Sequence, residues 1–178
     1  RMPSDDLDPI QKSRPTRPVP DQDVIFDALQ MIRSAKSPVI LAGNGVIRLG
    51  ASAELRKFAE TTGIGVINTF MAKGVINQDS VYSLFTIGLQ ARDLVSRSIY
   101  ESDLVVTIGY DMAEYPPNMW NPDREKKIIH LDFVPAEVDE NYRVEVEVVG
   151  DLAHALQMLN DGVHDNPFEI DPTRQHAV

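Results

Sequence analysis

Cysteine is absent from this chain of 178 residues. That excludes disulfides, thiolate zinc sites and a cysteine nucleophile, and it fits a reducing, cytoplasmic setting. An excess of positive charge is absent as well. The formal net charge is −10, a balance that repels nucleic-acid phosphates and anionic membrane surfaces, so neither is expected as a partner. No apolar run approaches the ~20 residues that span a bilayer. No signal peptide opens the sequence. Its first residue is Arg1 rather than Met, and the chain is expected to be a piece of a longer polypeptide. Catalytic signatures are missing too. There is no G-x-S-x-G elbow. The four histidines, His130, His154, His164 and His176, form no H-x-x-x-H pair and stand beside no second ligand at metal spacing. No catalytic residue and no metal ligand is assigned.

What is present is ordinary globular composition, 43% hydrophobic and 25% charged, in a length that favours one domain. Residues 1–20 are rich in proline and charge and read as a linker or arm. From Asp21 to Ala35 the apolar residues Val24, Ile25, Ala28, Leu29 and Ile32 share one helical face, with Asp21 as N-cap. Strand and helix then alternate. "SPVILAG" (37–43) is a strand and 51–62 a helix; "GIGVINTF" (63–70) is a strand and 89–100 a helix. "SDLVVTIG" (102–109), "KKIIHLD" (126–132) and "VEVEVVGD" (144–151) are strands, and 152–159 is the last helix. Continuous apolar strands separated by helices predict an α/β fold. The expected form is a doubly wound, Rossmann-like parallel sheet of about five to six strands with helices on both faces, over residues 21–160. Residues 161–178 are polar and turn-rich and read as a linker or tail.

The first strand ends in Gly43-Asn44-Gly45, and with Gly50 this makes G-x-G-x4-G. The dinucleotide fingerprint is G-x-G-x-x-G, so the third glycine is displaced. Two readings fit. Glycines let a backbone approach a phosphate at a helix N-terminus. Any strand-to-helix turn in a parallel sheet also needs a glycine or two. The second strand ends Asn68-Thr69-Phe70, without the carboxylate that would hold a ribose. An ordinary NAD dehydrogenase is therefore not expected.

Other polar residues have bland readings beside sharper ones. His130 lies in an apolar strand and reads as a satisfied core or strand-end residue. Asp103, opening a strand, reads as a cap or turn. Asp132 ends a strand where parallel-sheet ligands bind, and ligand-facing and turn roles weigh equally. "EVDENYR" reads as a solvated acidic face. Trp120, the single tryptophan, reads as a plug over the core or a partner contact.

The ordered set "SPVILAGNGV", "GVINTFMAKGVI", "SDLVVTIG", "KIIHLDFVPAEVDENY" and "VVGDL" resembles the central domain of thiamine-diphosphate-dependent enzymes over roughly residues 20–160. That family includes acetolactate synthase, pyruvate oxidase, benzoylformate decarboxylase and oxalyl-CoA decarboxylase. "TIGYDMAEYPPNMWNPD" (107–123) is similar to the G-Y-x-x-x-E-Y-x-P-x-x-W-N segment of catabolic acetolactate synthases, matching at Gly109, Tyr110, Glu114, Tyr115, Pro117, Trp120 and Asn121. The resemblance implies a nucleotide site at Gly43, Asn44, Gly45, Thr69, Phe70, Gly88, Gly109, Asp132, Gly150 and Asp151. FAD or ADP is the group such a site would take. Biosynthetic relatives place an arginine on the flavin where this chain has Asp111, a charge wrong for a pyrophosphate. Their G-M-H-G is here Gly88-Leu89-Gln90-Ala91. The implied domain is then a scaffold with a vestigial nucleotide site, the alternative being a working FAD- or ADP-binding module. Thiamine diphosphate and Mg2+ belong, on the same resemblance, to the other domains, because G-D-G…N-N is absent here. The implied parent converts two pyruvates to acetolactate and CO2. Its partners are the flanking thiamine-binding domains of the same polypeptide, in a homodimer or homotetramer.

Overall fold

The computed structural model describes residues 17–88 and 94–170. Helix α1 spans Gln22–Ser34. Its first turn is fastened by Asp21, whose carboxylate accepts the Asp23 amide at 2.8 Å. Strand β1 (Pro38–Ala42), the short helix α2 (Asn44–Arg48), helix α3 (Ser52–Thr62) and strand β2 (Val66–Asn68) follow. Then come β3 (Ser83–Thr86), α4 (Leu94–Glu101), β4 (Leu104–Ile108), β5 (Lys127–Asp132), β6 (Val146–Val149) and α5 (Leu152–Asp165). Among the described residues no helix is long and apolar enough to cross a membrane.

The six strands lie in the order β3-β2-β1-β4-β5-β6, all neighbours parallel. This is the doubly wound order, reversing between β1 and β4. Period-two alternation divides each strand between two cores. Ile40, Ala42, Leu104, Val106, Ile108, Ile129 and Leu131 face α1, α3 and α5. Val39, Leu41, Ile67, Val105 and Ile128 face the other way.

The second face carries a helix as expected, α4, but is covered largely by loop residues. Its cover is Ile99 of α4 together with the loop aromatics Tyr110, Trp120 and Tyr142. The β4–β5 crossover holds only a 3-10 turn at Pro117–Met119. Adjacent prolines at 116 and 117 remove two amide donors where a crossover helix would run. Three further points concern the elements. Strand β3 was not expected. The helix expected over 89–100 is described from Leu94, its start lying outside the described residues. Helix α5 runs past Leu159 to Asp165. Beyond it Phe168 and Ile170 pack on the first core, and the Ile170 amide donates to the Thr62 carbonyl at 2.7 Å. Part of the expected tail is therefore packed chain. At the other end of the expected domain, Arg17 and Asp151 form an ion pair at 2.7 Å.

Candidate functional site

A cleft of about 220 Å³ opens at the carboxyl ends of β1, β4 and β5, where the strand order reverses. Parallel sheets bind ligands at this place. Of the expected residues, Asn44, Gly45, Gly109 and Asp132 line it. Gly43 stands at the N-cap of α2 behind them. Thr69, Phe70, Gly88, Gly150 and Asp151 do not line it. Thr69 is fully buried with an unpartnered hydroxyl, and Phe70 is exposed. Gly88, at φ +91°, lies against the Tyr115 ring. The Gly150 amide donates to the Asp132 carbonyl at 2.9 Å. Asp151 caps α5 by accepting the His154 amide at 2.9 Å.

The glycines have a reason that requires no ligand. Two backbone segments meet here at van der Waals limits. A Cβ on Gly45 would sit 2.6 Å from Gly109 Cα, and one on Gly109 2.5 Å from the Val46 nitrogen. Gly109 also has φ +58°, which favours a residue without Cβ. Three of the amides that would cradle a phosphate are committed. Gly43 N–H donates to the Ile108 carbonyl at 2.9 Å, Gly45 N–H to the Gly109 carbonyl at 2.9 Å, and Val46 N–H to the Gly43 carbonyl at 3.2 Å.

The charge lining the cleft is also wrong for a diphosphate. Among the described residues Asp111, Asp132 and Glu137 face it against one guanidinium, Arg48. Burial pushes the Asp132 carboxyl up. The Phe133 amide and nearby His130 pull the other way without cancelling the rise. Asp111 is occupied locally, accepting the Ala113 amide at 2.9 Å. A cleft near 220 Å³ is small beside the ~300–1,000 Å³ of ligand sites. On these observations the residues do not fit the pyrophosphate of FAD or ADP.

The 107–123 segment is an aromatic cap. Trp120 is fully buried, which realises the plug reading. Its Nε1–H donates to the Tyr110 hydroxyl at 3.0 Å, and that hydroxyl donates to the Tyr115 carbonyl. The Trp120 ring stands edge-on to Tyr110 and to Tyr142, with centroids 6.2 Å apart in each pair. Burial pushes the Tyr110 phenol far up, so it remains a donor at any physiological pH. Tyr142 reaches His130 Nδ1 at 2.8 Å. His130 Nε2 donates to the Val134 carbonyl at 3.1 Å, which makes His130 the satisfied strand residue expected. The Asn121 and Asn141 side-chain amides donate to each other's carbonyls at 2.8 and 3.0 Å. The acidic-face reading of 137–143 therefore needs correction at Asn141 and Tyr142, which are buried. Nothing in the local pattern marks them, because the partners of their side chains are 12 to 35 residues away. Asp103 is the expected cap, its two oxygens accepting the Ser37 and Lys36 amides at 2.8 Å each.

Fold and cleft define a doubly wound domain with a small cleft where its strand order reverses. Residues 25–159 match the family described as thiamine pyrophosphate enzyme, central domain, and the chain belongs to that family. It is similar to acetolactate synthase of Bacillus subtilis, 33% identical over 138 residues that cover 77% of this chain and 24% of that protein. It is also similar to the acetolactate synthase large subunit of Corynebacterium glutamicum, 37% identical over 148 residues covering 80% and 23%. The chain thus spans about a quarter of the length of these relatives. A solved structure from Mycobacterium smegmatis, described as a thiamin diphosphate-dependent enzyme, superposes with TM-score 0.65 over 84% of this chain and 29% of that one. At 24% identity that likeness shows the fold alone.

Proposed function

We propose that this chain is the scaffolding middle domain of a cytoplasmic acetolactate synthase in which the nucleotide site is vestigial. The parent condenses two pyruvates to acetolactate and CO2. Thiamine diphosphate supplies the carbanion chemistry when bound. Flanking domains hold that cofactor and its Mg2+, and the whole assembles as a homodimer or homotetramer. The identities with acetolactate synthases support the reaction. The observation that carries the scaffold reading is the commitment of the Gly43, Gly45 and Val46 amides to backbone carbonyls. What this chain's residues do is hold the β1 and β4 ends together and seal the sheet with the Tyr110–Trp120–Tyr142 cap.

The test is an assay of the intact polypeptide with pyruvate, Mg2+ and thiamine diphosphate, no flavin added, with the visible spectrum of the same preparation recorded. A colourless enzyme forming acetolactate is expected. A yellow enzyme that loses activity when FAD is stripped would overturn the scaffold reading. No turnover of pyruvate would remove the substrate.

A further inference from the structure

A second cavity, of about 600 Å³, lies away from the β1/β4 cleft, beside the carboxyl ends of β2 and β3. Its polar lining is Arg56, Asn68, Lys73, Asn77, Gln78 and Thr86. Among the described residues two cations stand there and no carboxylate, in a chain whose net charge is −10. Neither cation is in an ion pair with a described residue. The ion pairs among the described residues are Arg17–Asp151, Arg97–Glu101 and Arg124–Glu140.

The donors are held in place. Arg56 Nε donates to the Val75 carbonyl at 2.8 Å, and its Nη2 to the Gly74 carbonyl at 3.0 Å. These bonds fix the guanidinium plane and leave Nη1 without an acceptor among the described residues. Asn68, buried to 5% exposure, gives one amide hydrogen to the Thr69 carbonyl at 3.0 Å and the other to Thr86 Oγ1 at 2.9 Å. Thr86 accepts there, so its own hydrogen is available to donate. Lys73 Nζ sits 5.6 Å from the centre of the Phe70 ring, a cation–π contact that leaves its hydrogens unspent. Planar guanidinium, ammonium and hydroxyl donors with no competing acid are the chemistry of a phosphate or carboxylate site. The volume lies in the ~300–1,000 Å³ range of small-molecule sites.

We propose that this cavity binds a small phosphate- or carboxylate-bearing metabolite, with Arg56 and Lys73 as the charge partners and Thr86 as a directional donor. The site is independent of the β1/β4 crevice and of the scaffold reading. The probes are inorganic phosphate and succinate, each titrated calorimetrically into the 178-residue chain at low ionic strength. Saturable binding of one of them is expected, and which one binds distinguishes phosphate from carboxylate ligands. Lys73→Gln is expected to weaken it by ~tenfold or more, since a full charge at contact distance is removed. Arg56→Gln should do the same, but it also frees the Gly74 and Val75 carbonyls. Lys73→Gln, which touches no backbone group, and Thr86→Val are therefore the decisive variants. No binding of either anion overturns the proposal. So does binding unchanged in both of those variants, and so does binding lost on Arg48→Gln, which would place the anion in the other cleft.

Discussion

At the scale of single residues, the cap and the helix ends carry measurable energy. Tyr110 is the acceptor for the buried Trp120 Nε1–H. Tyr110→Phe keeps nearly all the apolar volume and strands that donor, so a loss of about 1–3 kcal/mol is expected from urea unfolding. An unchanged midpoint would show that Trp120 finds another acceptor. Asp151 combines an N-cap bond to His154 with an ion pair to Arg17. Asp151→Ala should cost roughly 1 kcal/mol for the cap, and the half-exposed pair adds little. Burial alone would raise the Asp151 carboxyl, but the Arg17 bond and the His154 amide outweigh it and hold it below the usual range. A depressed folded pKa gives stability that is present above the unfolded value, ~3.9, and is lost as pH falls through the folded one. The gap between Asp151→Ala and the parent chain should therefore be full at pH 7 and close on acidification below about pH 4. A gap that persists at pH 2 would assign the loss to packing instead.

At the scale of elements, the β1–α2 turn against the end of β4 is a close approach of two backbones. Gly109 and Gly50 separate the two reasons a glycine can be required. Both have positive φ, +58° and +73°. A Cβ on Gly109 would strike the Val46 nitrogen at 2.5 Å, whereas one on Gly50 meets nothing within 4 Å. Gly50→Ala is expected to cost about 1 kcal/mol of left-handed strain. Gly109→Ala is expected to cost several-fold more or to prevent folding, because backbone cannot move aside as a flexible side chain can. Equal thermal shifts for the two would refute the close-approach argument. Much of this architecture was legible in sequence: the Asp21 cap, the apolar runs of β1, β4, β5 and β6, and the turn glycines. Strand β3 was not, because "SLFT" has no period, its pairing with β2 shifts register and Phe85 sits at φ +65°. The loop cover of the second face was also hidden. It depends on bonds such as Asn121–Asn141 and Tyr142–His130, whose partners are far apart in sequence. In the cleft the glycines were visible but their employment was not. In sequence Gly45 fits both a phosphate cradle and a plain turn, and the carbonyl of Gly109 on its amide favours the turn.

At the scale of the whole molecule, charge and stability come from different places. The two cores are apolar and continuous across both faces of the sheet. The ion pairs among the described residues join side chains that are mostly 42–67% exposed, Asp151 at 14% being the exception. Such pairs are worth ~0–1 kcal/mol each and lose little to screening. The net charge of −10 is a diffuse repulsion that opposes compactness, and salt weakens it once the Debye length falls to ~8–10 Å. The thermal midpoint at pH 7 is therefore expected to rise between low salt and about 0.5 M sodium chloride. A falling midpoint would mean that the ion pairs outweigh the repulsion. Anion occupancy of the Arg56–Lys73 cavity would raise the midpoint as well, by binding the folded chain alone. Lys73→Gln tells the two causes apart. Screening acts on the whole surface and survives the substitution, since removing one cation makes the chain more negative and its response to salt steeper. A site-bound anion acts through that cavity, and the part of the rise it supplies shrinks when Lys73 is lost.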